Sequence, residues 1–345
     1  MRAITKKMPR LIKGLRKIRI LPEEMSAVII RNQRKSLITP QRRFLNALGI
    51  KNRTVQITEM NSVKLKDLAY QLVDEKQHRI MFTNGSDKKD AELVSLIREI
   101  NPSQKLLFCE LGWLPYQKFM FFDSKGFGNI SELHDWPIEL FPAVDNNVWN
   151  WTKKYLNHEL NPKVDAKGRP TIEAPDEEYI LVPLQVDNDS KIIVGSPHFR
   201  TVSEFIDYIM DVIPKNLKIY FKNHPQNKKP PKVPISLNSV DITHANYNKL
   251  SLINNAKIVV GINTTFLLES LYLNKPVISF GLDVFSNKDI ILDGFGKKFD
   301  DWLNFSYSKK AAERFLCELM RRQVLRVDVP EFDVHLKNHF WKKQF

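Results

Sequence analysis

Short runs of β-branched and aromatic residues alternate with stretches of helical period along most of this chain, and that alternation limits what it can fold into. Arg79 to Thr83 (RIMFT) reads as a buried strand, Asn84-Gly85-Ser86 turns the chain, and Lys88 to Ile100 has helical spacing. Lys105 to Cys109 (KLLFC) is the next strand. The pattern restarts with a strand over Tyr179 to Leu184, a helix over Val202 to Ile213 and a strand over Leu217 to Lys222. A proline- and lysine-rich loop, Pro225 to Pro234, interrupts it. It resumes with a helix over Tyr247 to Ala256, a strand over Lys257 to Ile262, a helix over Thr264 to Leu273 and a strand over Pro276 to Phe280. A long amphipathic helix over Lys309 to Gln323 follows. Strand–helix–strand units build parallel sheets covered by helices, so the expected fold class is α/β with doubly wound sheets.

The chain has 345 residues, room for two domains. Gly112 to Pro175 is less regular, and its polar end, Asn161 to Pro175, reads as a linker. The expected domains are 1–160 and 176–325, with a tail over 326–345 that returns to the first domain. Two doubly wound halves leave a cleft, and ligands in open α/β sheets bind beyond the carboxyl ends of the strands.

The net charge of +14 is unevenly placed: residues 1–53 carry 15 Lys/Arg against 2 Asp/Glu, and the remainder 38 against 37. In the basic arm, Leu11, Ile12, Leu15, Ile18 and Ile20 partly follow helical spacing between Lys and Arg residues. Such a segment either lies on an anionic membrane surface or packs on its own domain with solvated charges. No aromatic residue interleaves the early basic run, so stacking on nucleic acid is not supported. No apolar run approaches the roughly 18–20 residues that span a bilayer, and no secretory h-region follows the basic start. Cys109 and Cys317 make neither a disulfide framework nor a metal-ligand spacing. The expectation is a cytoplasmic protein, peripheral at the inner membrane, without metal or cofactor.

Four segments carry candidate chemistry, and each also has a plain structural reading. Glu110 follows KLLFC directly and is either a general base for an acceptor hydroxyl or a loop acid satisfied by backbone N–H groups. Gln185-Val186-Asp187-Asn188-Asp189-Ser190 follows YILVPL; its two carboxylates serve a metal, a nucleophile or an ordinary turn. Lys222-Asn223-His224-Pro225 follows the strand LKIYF, and its Lys and His suit a phosphate, or the segment is a turn. Gly261-Ile262-Asn263-Thr264-Thr265 joins a strand to a helix and either caps it or offers N–H groups to an anion, with Glu269 further along that helix. P-loop, complete dinucleotide fingerprint, zinc spacing and nucleophile elbow are all absent from the sequence.

Taken together, "Gln-Val-acid-x-Asp" after a strand, then "Lys-x-His-Pro", then "Gly-Ile-Asn-Thr-Thr-x-x-x-Glu" before Lys275-Pro276-Val277 resemble the capsule polysaccharide biosynthesis family. These are bacterial β-Kdo glycosyltransferases related to the capsule proteins KpsC and KpsS and to lipopolysaccharide O-antigen β-Kdo transferases. The resemblance is clearest from about Leu106 to Phe285. It implies a GT-B-like fold of two Rossmann-like domains facing a central cleft, the first on the acceptor side and the second binding the nucleotide sugar. It also implies a CMP-β-Kdo donor, a glycan or glycolipid acceptor and retained configuration through double displacement. By residue, it implies an Asp of Gln185 to Ser190 as nucleophile, Asp189 in preference to Asp187, with Glu110 as acid/base and His224 on the leaving phosphate. Gln185, Lys222, Pro225, Asn263, Thr264, Thr265 and Glu269 would bind the donor. One departure stands out: the family often has Pro where Asn223 stands. The competing functions are a GT-B transferase with another nucleotide-activated donor and an inactive membrane-peripheral scaffold of a polysaccharide assembly complex.

Overall fold

The computed structural model describes residues 26–32, 41–42, 45–46, 50–74, 79–83, 88–114, 119–164, 168–187, 190–224, 227 and 229–325. The chain falls into two compact units, changing unit at Leu111/Gly112, Phe119/Met120, Gly126/Phe127 and Gln323/Val324.

The first unit is built from β1 (Ser26–Arg31), β2 (Lys51–Gln56), α1 (Ser62–Asp74), β3 (Arg79–Thr83), α2 (Lys88–Ile100), β4 (Leu106–Leu111) and β5 (Phe119–Asp123). The sheet runs β5-β4-β3-β1-β2. β1 pairs in parallel with β2 and β3, β3 with β4 likewise, and β5 is antiparallel to β4. The parallel part therefore follows the 2-1-3-4 order of one of the two common doubly wound folds. Val28, Ile30, Phe82 and Phe108 from the strands meet Leu65, Leu68, Leu93 and Ile97 from the helices in one core. Those helical positions recur three or four residues apart, the spacing that lays one apolar stripe on a sheet.

The second unit opens with a 3-10 turn (Gly128–Ile130), α3 (Glu132–Asp135) and α4 (Asn146–Leu160). It continues through β6 (Tyr179–Pro183), α5 (Ser190–Gly195), α6 (Val202–Val212), β7 (Lys218–Lys222), β8 (Ser239–Asp241), α7 (Lys249–Asn255) and β9 (Ala256–Gly261). Then come α8 (Thr265–Tyr272), β10 (Val277–Ser279), β11 (Leu292–Asp293), α9 (Phe299–Leu303) and α10 (Lys309–Arg321), after which β12 (Gln323–Leu325) runs into the first unit and is the sixth strand of that unit's sheet. Its sheet runs β11-β10-β9-β6-β7-β8, every pairing parallel. Counted from β6, that is the Rossmann order 3-2-1-4-5-6, read from the β8 edge. α6 shows why these residues fold as they do. Thr201 and Glu204 close a capping box, and Val202, Phe205, Ile206 and Ile209 form its buried stripe. That stripe packs on Val182, Phe221, Val260 and Phe280.

The architecture is the expected α/β arrangement of two parallel-dominated sheets, with local differences. The irregular region expected from Gly112 to Pro175 contains β5 and the 15-residue α4, whose N-cap Asp145 accepts from Asn147 and Val148 N–H groups. Residues 127–160, expected in the first domain, group with the second unit. The expected linker is pinned to that unit: Ile172 N–H donates to Asn246 O at 3.0 Å, and Asn248 N–H to Ile172 O at 2.7 Å. The last helix stops at Arg321 because Gln323 enters β12, which joins the first sheet beside β5. Within the basic region, residues 26–31 and 51–53 belong to strands β1 and β2 rather than to an arm. Residues 1–25 and the tail over 326–345 lie outside the described residues. No helix among the described residues is long and apolar enough to cross a membrane.

Candidate active site

In the Rossmann order the chain leaves β6 toward β7 on one side and returns to β9 on the other, so the switch point lies between β6 and β9. A crevice opens outside the carboxyl ends of two such strands because their following loops diverge to opposite faces. Here the two ends are tied together. Gln185 Nε2 donates to Asn263 Oδ1 at 3.0 Å, and the Asn263 backbone N–H donates to Gln185 Oε1 at 3.1 Å. Asn263 Nδ2 also donates to Lys191 O at 2.9 Å and Leu282 O at 3.2 Å. Both side chains are buried, and their polar atoms are engaged with the protein.

Asp187 follows β6, and its Oδ1 accepts from Val202 N–H at 2.6 Å, so this carboxylate sits at the start of α6. A carboxylate there is favoured by the helix dipole and the unbonded first-turn N–H groups. Asp189 and Pro225 lie outside the described residues.

Lys222 ends β7 and is bonded to β6 through Leu184 N–H, which donates to Lys222 O at 2.8 Å. Burial lowers the Lys222 pKa, the neighbouring Lys249 cation lowers it further, and Asp241 opposes both. His224 is half-buried two residues beyond. Lys249 itself is paired: its Nζ donates to the buried Glu269 carboxylate at 2.8 and 3.0 Å. Thr264 is the N-cap of α8, with Oγ1 accepting from Phe266 N–H at 3.3 Å, and the half-buried Thr265 opens that helix.

A second ion pair holds the start of α5. Lys191 Nζ lies 3.1 Å from the fully buried Asp283 carboxylate and 3.7 Å from the centroid of the Trp113 ring. Trp113 stacks on Phe127 at 4.5 Å. Burial raises the Asp283 pKa while the Lys191 cation pulls it back down. The sequence reading missed Lys191, Lys249 and Asp283. Asp283 was within reach of the same rule that located the others, because Gly281-Leu282-Asp283 follows the strand ending at Ser279.

In the first unit Glu110 is buried within the end of β4 rather than after it, paired opposite Phe121, with Oε1 accepting from Leu111 N–H at 2.8 Å. It remains at the carboxyl end of a parallel strand.

Taken unit by unit, the second presents the Asp187 carboxylate, a desolvated lysine, a histidine and a helix N-terminus at the ends of β6, β7 and β9. Cations and N–H groups at strand ends are the means by which doubly wound sheets bind a phosphate-bearing ligand.

Comparison with known proteins bears on this arrangement. The family described as "Capsule polysaccharide biosynthesis protein" matches residues 146–328. Protein FixF of Sinorhizobium fredii is 31% identical over 124 residues, which are 34% of this chain and 29% of that protein. Two solved structures share the fold: the Thermosulfurimonas dismutans KpsC beta Kdo 2,7 transferase and the beta Kdo 2,4 transferase of the same organism. The first has a TM-score of 0.52 at 20% identity, covering 85% of this chain and 90% of that one. The second has a TM-score of 0.54 at 15% identity, covering 86% and 90%. The fold is GT-B-like, with two Rossmann-like units.

Proposed function

This chain belongs to the capsule polysaccharide biosynthesis protein family, and from that membership we propose that it is a retaining β-Kdo glycosyltransferase using CMP-β-Kdo in capsule or lipopolysaccharide O-antigen biosynthesis. The observation that carries the proposal is the set of cationic and N–H groups at the ends of β7 and β9, on either side of the switch-point strand β6 of the second unit, in a fold shared with Kdo transferases. The donor presents a phosphate and the carboxylate of the acidic sugar, and both call for such groups.

In this reading Asp189 attacks the anomeric carbon as its bond to the phosphate oxygen breaks, and CMP leaves with the bonding electrons. The sugar is then esterified to Asp189. Glu110 takes the proton of the acceptor hydroxyl, whose oxygen displaces the carboxylate, and two inversions return the β configuration. Asp189 is preferred to Asp187 because the Asp187 carboxylate is held by Val202 N–H at the start of α6. His224 and Lys222 stabilise the leaving phosphate, and the N-terminus of α8, with Thr264 and Thr265, offers N–H groups to it. No divalent ion is invoked. Gln185 and Asn263 shape the site through their mutual hydrogen bonds, and Glu269 fixes Lys249 beside Lys222. The acceptor is a glycan or glycolipid, and the basic N-terminal segment brings the enzyme to anionic membrane.

The test is to incubate the protein with a CMP-Kdo generating system and candidate acceptors. The expected result is CMP release with a product heavier by one Kdo. Transfer from a different nucleotide sugar, with none from CMP-Kdo, would assign another donor; no transfer from any donor would favour a scaffold.

A further inference from the structure

Asn223 follows β7 directly and is 4% exposed. Its backbone N–H donates to Thr243 Oγ1 at 3.0 Å, yet neither its Oδ1 nor its Nδ2 has a hydrogen-bond partner among the described residues. A buried amide without partners forfeits its hydration with nothing in return, so it calls for a partner from outside the chain. We propose that Asn223 is a donor-recognition residue, its amide pairing with a neutral hydrogen-bonding edge of the nucleotide, on the base or on the ribose. The proposal rests on the reading that this unit binds a nucleotide-activated donor.

Position supports it first. Asn223 lies between Lys222 and His224 at the carboxyl end of β7, and β7 is hydrogen-bonded to β6, one of the two switch-point strands. The backbone is held on both sides, since Lys222 O accepts from Leu184 N–H at 2.8 Å and Phe221 O from Ile242 N–H at 2.9 Å. Thr243, which accepts from Asn223 N–H, in turn donates its hydroxyl to the Asp241 carboxylate. The amide is thus presented by a fixed strand end.

The chemistry of the missing partner follows from what is missing. Asn223 lacks both an acceptor for its NH₂ group and a donor for its carbonyl oxygen. A phosphate or carboxylate only accepts and would leave Oδ1 as it is. A cytosine edge presents an amino N–H beside a ring nitrogen, and a ribose hydroxyl both donates and accepts; either completes the amide. The anionic part of the donor is left to the flanking cations, so charge recognition and nucleoside recognition fall on adjacent residues.

The test titrates the full chain, and its Asn223→Ala and Asn223→Val variants, with CMP, UMP, AMP, 2′-deoxy-CMP, ribose 5-phosphate and inorganic phosphate by calorimetry. CMP affinity is expected to fall about tenfold in both variants, the equivalent of losing one or two neutral hydrogen bonds, with inorganic phosphate unaffected. The thermal midpoint of the nucleotide-free variants is expected to be unchanged or higher, because an uncompensated amide has been removed; a purely structural asparagine would lower it. Loss of the Asn223 dependence with 2′-deoxy-CMP assigns the ribose, and loss with ribose 5-phosphate assigns the base. Equal CMP affinity in wild type and variants overturns the proposal, leaves the donor class standing and shows that solvent serves the amide. If wild type does not bind CMP, the donor reading fails. The proposal then survives only where another nucleotide on the panel shows the same dependence, and it falls where none does.

Discussion

Gln185 and Asn263 hold each other through two hydrogen bonds running in opposite directions, at 3.0 and 3.1 Å, across the ends of β6 and β9. The bonds close the top of the switch point and fix the spacing of the two loops that carry the candidate chemistry. Gln185→Ala leaves the Asn263 N–H and Oδ1 buried without that partner, and the expected loss of stability is about 2–4 kcal/mol. Urea unfolding with an unchanged m-value measures it; a loss within experimental error would mean that the pair does not organise the site.

Gly195 ends α5 where a side chain has no room. An added Cβ would lie 2.7 Å from Asn263 Nδ2 and 2.7 Å from the backbone oxygen of Leu282. Backbone and a clasped amide yield less readily than a flexible side-chain tip, so Gly195→Ala should cost about 1–3 kcal/mol despite the higher helix propensity of Ala. A variant as stable as the parent in thermal unfolding contradicts this.

Lys288 is buried, with its Nζ donating to His134 O at 3.1 Å and Trp136 O at 2.8 Å. Burial lowers its pKa from 10.5 to about 8, with Asp135 opposing. Between those values the unfolded chain binds more protons than the folded one, so this group makes stability rise with pH across that window and contributes no such rise below it. Unfolding free energies of wild type and Lys288→Met, measured from pH 7.5 to 10, should diverge as pH increases. Parallel profiles would show that Lys288 titrates normally.

Arg322 is 2% exposed and joins two carboxylates: Nε lies 3.1 Å from Glu318 and Nη1 2.9 Å from Glu132, with the guanidinium 4.6 Å from the Trp136 ring centroid. Burial raises the Glu318 pKa, and Arg322 is the main group holding it down. Arg322→Met leaves Glu318 with only the longer Arg321 pair at 3.6 Å and should cost about 3 kcal/mol, the low end for breaking a buried pair. Adding Glu318→Gln should recover part of that loss; a double variant no better than the single one would place the damage in lost packing against Trp136.

Much of the second sheet was legible because its central strands are buried on both faces and so read as unbroken apolar runs, YILVP and IVVG among them. β2 offered no such signal: it is an edge strand, KNRTVQ, largely exposed, and edge strands need no apolar face. α4 was obscured by four asparagines that interrupt its apolar period, although Asp145 before it was a usable cap signal. Among the candidate site residues, the strand-end rule placed Asp187, Lys222, His224 and Asn263 at the ends of β6, β7 and β9, where the structure has them. What it lacked was partners, because Gln185 with Asn263 and Lys249 with Glu269 are 78 and 20 residues apart along the chain. Only the sheet order brings them together, and for that reason a pair expected to touch the donor turned out to have its polar atoms engaged with each other.

The proposed double displacement makes its sharpest demand on Asp189. A carboxylate nucleophile must be ionised and must form an ester with the anomeric carbon, whereas Asp187 has one oxygen engaged by Val202 N–H. Asp189→Asn should abolish transfer with the fold intact, since an amide has nearly the same shape but is a poor nucleophile. Glu110→Gln acts on the other half of the reaction. Without a base for the acceptor hydroxyl, the second displacement slows more than the first, and the sugar ester should accumulate. Intact-protein mass spectrometry of Glu110→Gln with donor present should therefore show a mass increase of one Kdo, and peptide mapping should place it on Asp189. An adduct on Asp187 would exchange the roles of the two carboxylates and require Val202 N–H to release its acceptor. Full activity in Asp189→Asn, with no adduct on any peptide, would replace the covalent mechanism with direct transfer from the donor to the acceptor.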